Sequence, residues 1–446
     1  MSTPLTSPYR LWGAVTEILP GMLMVAGVGH AVGIGDSVLI EKPGQSLIGE
    51  VMSVTDTVVK VLMFSSTDAA RIGDRAYFSP QDQVEIGDHW LGALVNYRGD
   101  IQMRKVPAAQ PSAAVNVPLQ TPALPPASRK PLGPRLSTGL NVTDTLLPIC
   151  HGQRIGLFAG SGVGKSTLLG RLAGRMSADR IVIALIGERS REVQEFIDDV
   201  LPADVLHRTT IVAATASESP GAKKRAAFCA MAAAEYYRDQ GHSVLFLFDS
   251  LTRFAEAHRE TALMAGETPA LNAFPPSTVR VVSELAERTG PGTKTSGDIT
   301  AIFSVLVAGS DFEEPVADMV RGILDGHIVL SRKIAERGRY PAIDVLRSVS
   351  RALPKAATEA QNNSLQLFRS LMMTYDEIAP MVRAGLYEFG KDPSADIAYT
   401  LFPDLDRYLT ENSDSIPTAF EYLDGLLMPA RDLAAPQADK TALETA

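Results

Sequence analysis

From Ala159 to Thr167 the sequence reads AGSGVGKST, three glycines set around one lysine and two hydroxyl residues. Glycines let a loop curl until successive backbone N–H groups point inward, and a lysine beside them adds a full positive charge. The chemistry such a stretch supports is the holding of a phosphate chain. The apolar run RIGLFA precedes it and KSTLLGRLAGRM follows it, so the loop turns from a strand into a helix whose N-terminus adds positive potential. In this reading Ala159, Gly160, Ser161, Gly162, Val163, Gly164, Lys165, Ser166 and Thr167 cradle the phosphates. Lys165 reaches the β- and γ-phosphates, and Ser166 offers its hydroxyl to Mg2+. The usual pattern is G-x-x-x-x-G-K-[ST]. Its first position is alanine here, a mild departure given the glycines at 160 and 162. The plainer alternative is a glycine-rich turn carrying an incidental lysine.

A phosphate loop of this kind needs an acidic partner downstream. SVLFLFDS supplies one, with Asp249 at the carboxyl end of an apolar strand, where ligands of open α/β sheets gather. Asp249 would hold Mg2+ directly or through a water. LIGERSREV places Glu188 just past another apolar run. A carboxylate there can accept a hydrogen bond from an attacking water; the alternative is a surface ion-pair cluster with Arg189 and Arg191. RYPAIDVLRSVSR offers Tyr340 as a flat face for a base, or as ordinary core, and ends on Arg351.

The 446 residues that position these groups are too many for one typical domain. Residues 1–103 read as a small β-barrel: SVLI, LIGEVMSV and TVVKVLMF are short branched runs between turns, and Ile-Gly-Asp recurs at 34–36, 72–74 and 86–88. Residues 104–134 are rich in proline and alanine and read as an extended, partly mobile connector. From 135 to 355 short apolar runs alternate with helical stretches such as PGAKKRAAFCAMAAAEYYRDQG, which predicts right-handed crossovers in an open parallel sheet. Residues 356–446 read as helical, with a fraying Ala-rich tail after Met428. The fold class is thus multidomain α/β: an N-terminal barrel, a central parallel sheet with the phosphate loop, and C-terminal helices.

Composition narrows the function classes. A net charge of −9, with no basic stripe carrying aromatics between, argues against a general nucleic-acid binder. Any polyanion bound is small and held locally. Cys150 and Cys229 are the only cysteines, without metal spacing, which fits a reducing cytoplasm. The longest uncharged segment, Val106 to Ser128, is too polar to span a membrane, and MSTPLTSPYR does not read as a signal peptide.

Taken together, GLFAGSGVGKSTLLG, IGERSREV, FLFDSLTRFAEAHRE, ILDGHIVLSR and YPAIDVLRSVSR resemble the ATPases of bacterial type III protein export, the flagellar ones in particular, which are relatives of the rotary ATP synthase subunits. The resemblance spans nearly the whole chain. It implies a RecA-like central domain, ATP and Mg2+ as ligands, and a homohexameric ring. It also implies roles by position. Glu188 activates water, Arg189 stays near the phosphates, and Asp249 is the second acidic motif with Arg253 one turn on. Tyr340 packs on adenine, and Arg351 reaches across to the neighbour's γ-phosphate. Glutamate at 188, where non-catalytic synthase subunits carry glutamine, implies hydrolysis. The implied setting is the cytoplasmic face of the inner-membrane export gate. The implied partners are a stator-like regulator, a stalk-like protein and substrate–chaperone complexes, with peripheral membrane contact and no nucleic acid. Two features depart from the family. MSTPLTSP is a poor match for the amphipathic helix many flagellar members begin with, and the connector is longer than usual. The rivals are an injectisome ATPase, a ring-shaped RNA translocase and a rotary synthase subunit.

Overall fold

The computed structural model describes residues 11–434 except 81, 108–113, 271–273 and 308–313. The expectations for the N-terminal MSTPLTSP, for part of the connector and for the tail beyond 434 therefore lie outside the described residues.

Six strands close a barrel in the order β1-β2-β5-β4-β3-β6: β1 Leu11–Leu19, β2 Met22–Ala26, β3 Ser37–Lys42, β4 Gln45–Val54, β5 Val58–Met63 and β6 Arg75–Ser79. All neighbours are antiparallel, and one face of each strand fills the interior with Val25, Val38, Ile40, Leu47, Val59 and Val61. Alternation with a period of two is what lets one face pack while the other meets solvent. Beyond the barrel come β7 Gln83–Ile86, β8 Ala93–Val95, β9 Ile101–Arg104 and β10 Val115–Pro118. Here the structure departs from the sequence reading. β8 lies parallel to a strand of the central sheet and carries β9 at the sheet's edge, so 93–104 belong with that sheet and not with the barrel.

The connector differs too. Its β10 pairs with β7, Leu119 is buried, and the Arg129 guanidinium donates to the carbonyls of Leu124, Glu287, Thr289 and Pro291. Its described part is tied along the central domain over much of its length, because its polar side chains find acceptors there: Arg129 on backbone carbonyls, Thr121 on Glu235 and Lys130 on Asp298.

The central domain begins with α1 Asn141–Asp144 and β11 Arg154–Ala159, then α2 Lys165–Arg175, β12 Arg180–Ile186, α3 Ser190–Glu195, β13 Thr209–Ala214, α4 Pro220–Asp239, β14 Val244–Asp249, α5 Leu251–Met264, α6 Pro276–Glu287, β15 Ile299–Leu306, α7 Pro315–Ile323, β16 Gly326–Leu330, α8 Arg332–Glu336 and β17 Val349–Ser350. The sheet runs β17-β16-β11-β15-β14-β12-β13-β8-β9, parallel from β16 to β8 and antiparallel at both edges. β13 and β14 are buried at every residue, as strands covered on both faces by helices must be. α4 opens on Pro220 with the Ser219 hydroxyl capping Ala222 N–H, and it docks the barrel. Arg225 holds Asp82 through two bonds, at 2.7 and 2.8 Å, while Lys224 faces Glu50 at 3.4 Å.

Three helices complete the chain: α9 Glu359–Arg383, α10 Pro393–Tyr408 and α11 Ile416–Ala434. α11 continues past Met428, where the sequence suggests fraying. Its continuation is anchored by buried Ala430 and by Arg431, which meets Asp424 at 2.6 Å. The Tyr408 hydroxyl on α10 bonds Thr145 at 3.0 Å, tying these helices to the central domain. Among the described residues no helix is long and apolar enough to cross a membrane.

Candidate functional site

The sheet order brings the carboxyl ends of β11, β14 and β12 to one end of the central domain, and a cavity of about 900 Å3 opens there. The loop after β11 supplies its floor. Gly164 caps α2 with φ +86°, a left-handed conformation that favours glycine, and so starts the helix directly at Lys165. Gly160, Ser161, Gly162, Gly164, Ser166 and Thr167 line the cavity together with Ala159, while Val163 turns inward and is buried.

Lys165 is the centre of the site. Its Nζ lies 2.5 Å from Asp249 Oδ1 and 3.3 Å from Glu188 Oε1. Burial works against the ammonium's charge, but the two carboxylates outweigh it and raise the Lys165 pKa. Glu188 moves the other way from an ordinary carboxylate. Burial and then the nearby Asp249 charge push its pKa up, against the pull of Lys165. Asp249 is 3% exposed and stands behind the lysine, not on the cavity wall. Its Oδ1 also accepts a bond from the Ser304 hydroxyl at 2.5 Å.

Glu188 is not part of a surface ion-pair cluster. Arg189 pairs with Glu192 at 3.3 Å and Arg191 with Glu195 at 2.6 Å, while Glu188 turns to Lys165, with the Glu192 side chain also within hydrogen-bond reach of it. Arg189 lines the cavity but is largely exposed, and in this arrangement it points to Glu192. Arg253, on the first turn of α5, also lines the cavity, with Glu256 at 2.9 Å and its stem against Gly187.

Tyr340 is not core: it is 49% exposed and its ring lies against Gly164. It flanks the phosphate loop outside the cavity wall. Arg351 follows β17 at the sheet edge, exposed and away from that wall. The structure thus gathers Lys165, Glu188, Asp249, Ser166, Arg189 and Arg253 around one cavity. It sets Tyr340 at the rim and leaves Arg351 outside.

Sequence reasoning missed Ser304, Thr252, Glu192 and Lys223. Thr252 accepts the Leu306 N–H at 2.9 Å and, with Glu192 and Lys223, lines the cavity. The available signal for Ser304 was a hydroxyl inside the apolar run ITAIFSVL.

A divalent cation fits these residues in a particular way. Among the described residues, no group of three or more His, Cys, Asp or Glu side chains could hold a metal by itself. Magnesium commonly binds through one or two protein oxygens plus substrate phosphates and waters, and Ser166 on the cavity wall with Asp249 behind Lys165 would make a donor set of that kind.

Comparison with known proteins locates this arrangement. The family description "ATP synthase alpha/beta family, nucleotide-binding domain" fits residues 139–350, and "T3SS EscN ATPase C-terminal domain" fits residues 357–426. A flagellum-specific ATP synthase of Treponema pallidum (strain Nichols) is 40% identical over 415 residues, covering 92% of this chain and 90% of its own. One from Caulobacter vibrioides is 38% identical, covering 91% and 93%. Among solved structures, the assembled ATPase EscN of the enteropathogenic E. coli type III secretion system superposes with a TM-score of 0.85 at 35% identity, over 93% of this chain and 100% of that one. EscN in complex with its central stalk EscO gives a TM-score of 0.84.

Proposed function

The chain belongs to the flagellar and type III secretion ATPases of the ATP synthase alpha/beta type, and on that premise we propose that it hydrolyses Mg2+-ATP in a ring of identical protomers to drive or prime export of flagellar proteins. The observation that carries the reading is Lys165, held between Glu188 and Asp249 at the start of the helix that follows the phosphate loop. A lysine so placed exchanges two carboxylates for the oxygens of a triphosphate. When it turns to the phosphates, Glu188 is released.

Glu188 then accepts a hydrogen bond from the attacking water. Its raised pKa makes it a stronger base than an ordinary carboxylate, which suits work near neutral pH. Ser166 and Asp249 would hold the cation, which supplies neutralisation of charge on the β- and γ-phosphate oxygens. Arg189 swings from Glu192 toward the phosphates, Arg253 closes the cavity beside them, and Tyr340 offers its exposed face to the base. Arg351 acts on the neighbouring protomer's nucleotide, since it stands outside its own cavity.

The ring and a stalk-like partner are inferred from EscN, which is described as assembled and in complex with its stalk. Contacts with an export gate, a stator-like regulator and substrate–chaperone complexes at the cytoplasmic face of the membrane belong to the same proposal. The flagellar assignment rests on the curated relatives. A deletion strain that keeps swimming but loses secretion of effectors would move the protein to the injectisome branch.

The test of the chemistry is Glu188→Gln. The expected result is a protein that retains ATP with Mg2+ on a filter or gel-filtration column and releases phosphate at least about 10²-fold more slowly than the parent. Near-parental turnover would remove Glu188 from its role.

A further inference from the structure

We infer that Ser304 is a positioning residue for this reaction: its hydroxyl holds one oxygen of Asp249 so that the other is presented to the cation when Lys165 leaves for the phosphates. The inference rests on the nucleotide reading above and adds to it a residue that no motif marks.

β15 lies between β11 and β14, and its neighbours Ile302, Phe303 and Val305 are all fully buried and apolar. Ser304 is itself 0% exposed. Phe248 pairs with Phe303, which sets Asp249 beside Ser304 across the strands. A core position between two strands favours alanine or valine, and a buried hydroxyl is costly unless it is bonded. This hydroxyl is bonded, to Asp249 Oδ1 at 2.5 Å. Lys165 Nζ converges on the same oxygen, also at 2.5 Å. Among the described residues no side chain donates to Oδ2.

The two donors on Oδ1 differ in what nucleotide does to them. Lys165 sits on a helix beside the cavity and is the group the phosphates attract. Ser304 is fixed in a central strand and has no route to the cavity. Once the lysine turns away, Ser304 is the donor left on Oδ1. Without it a buried carboxylate is free to rotate with the departing lysine, and Oδ2 is no longer aimed. With it the carboxylate keeps one orientation through the exchange.

The experiment titrates free Mg2+ against binding of a fluorescent ADP analogue, with a parallel titration in EDTA, for the full chain and for Ser304→Ala, Ser304→Cys and Ser304→Thr. Cysteine keeps the volume with a weak donor; threonine keeps the hydroxyl. In the alanine and cysteine variants the half-saturating Mg2+ concentration should rise about tenfold, what one hydrogen bond to a charged group is worth, while affinity in EDTA stays within about twofold. Threonine should return the Mg2+ dependence to within about threefold of the parent. An alanine or cysteine variant with the parent's unfolding curve and a Mg2+ midpoint within about twofold overturns the inference. If alanine weakens binding equally with and without Mg2+, the role is packing alone and the inference fails. A parent chain that binds the analogue no better with Mg2+ than in EDTA overturns the metal reading itself, and the positioning role with it.

Discussion

Arg351 yields the sharpest test of a site shared between protomers. In its own chain the guanidinium donates to the Arg321 carbonyl at 3.2 Å and has no carboxylate partner among the described residues. Its backbone N–H, which a substitution keeps, bonds the Asp325 carbonyl at 3.0 Å. Arg351→Ala therefore removes one exposed bond and should cost less than about 1 kcal/mol of protomer stability. Turnover should fall far more, by about 10³–10⁵, because a cation lent to the neighbour meets charge that develops in the transition state. Glu188→Gln is inactive for a different reason and keeps Arg351. A head-to-tail ring of mixed protomers then contains some complete sites, each pairing Glu188 of an Arg351→Ala chain with Arg351 of a Glu188→Gln chain. For an equal mixture this happens at about one interface in four, so turnover should recover to as much as a quarter of the parent's. The assay is phosphate release by the two variants alone and mixed, with different tags on each to show that both enter one ring. A mixture no more active than the mean of its components, in rings shown to contain both, would refute the shared site. So would an Arg351→Ala protein that turns over normally by itself.

Two further predictions concern the framework. His258, buried and bonded through Nε2 to the Ser277 hydroxyl at 2.8 Å, has its pKa lowered to about 4, first by burial and then by Lys224, against the attraction of Glu267. A folded-state value below the ordinary 6.5 means the native state takes the proton less readily than the unfolded chain. Its contribution to stability is therefore whole above pH 6.5 and lost as pH falls toward 4, by roughly 1–3 kcal/mol. In urea unfolding, His258→Gln should gain on the parent between pH 7 and pH 5 by part of that amount; a difference that does not change with pH would count against it. The second site is the Arg225–Asp82 pair, which fastens the segment after the barrel to α4. Asp82→Ala strands a buried guanidinium and should cost about 3–5 kcal/mol, whereas Asp82→Leu with Arg225→Met should recover most of the loss. A double variant no more stable than Asp82→Ala would show that the charge was not the problem.

The phosphate loop was legible in the sequence because its function is local: a strand, a curled backbone and a helix start must follow one another along the chain. Asp249 was legible for a similar reason, since an apolar run ending in aspartate marks the carboxyl end of a buried strand. Ser304 was not. A single serine in ITAIFSVL acquires a partner only when β15 is inserted between β11 and β14, and that order comes from packing across distant segments. β8 and β9 were misplaced with the barrel for the same cause. Each is three or four residues long, and what assigns β8 to the central sheet is its parallel pairing with β13, a partner more than a hundred positions on. The prolines of the connector foretold extended backbone, but not that Arg129 would pin it to the carbonyls at the end of α6 and just beyond it.

The motif residues that remain partly in solvent argue a further point. Lys165 and Asp249 are satisfied within one chain, and Glu188 is bonded to Lys165. Tyr340 and Arg351, which the same motifs assign to the nucleotide, are exposed, one at the rim and one at the sheet edge. An aromatic ring half in water and an arginine without a carboxylate partner among the described residues gain little for their own fold. Their positions make physical sense if the surface beyond them belongs to a second protomer, with ATP at the seam. Nucleotide and assembly are then linked: whatever strengthens the ring should strengthen ATP retention by the same factor, and ATP should favour the ring in turn.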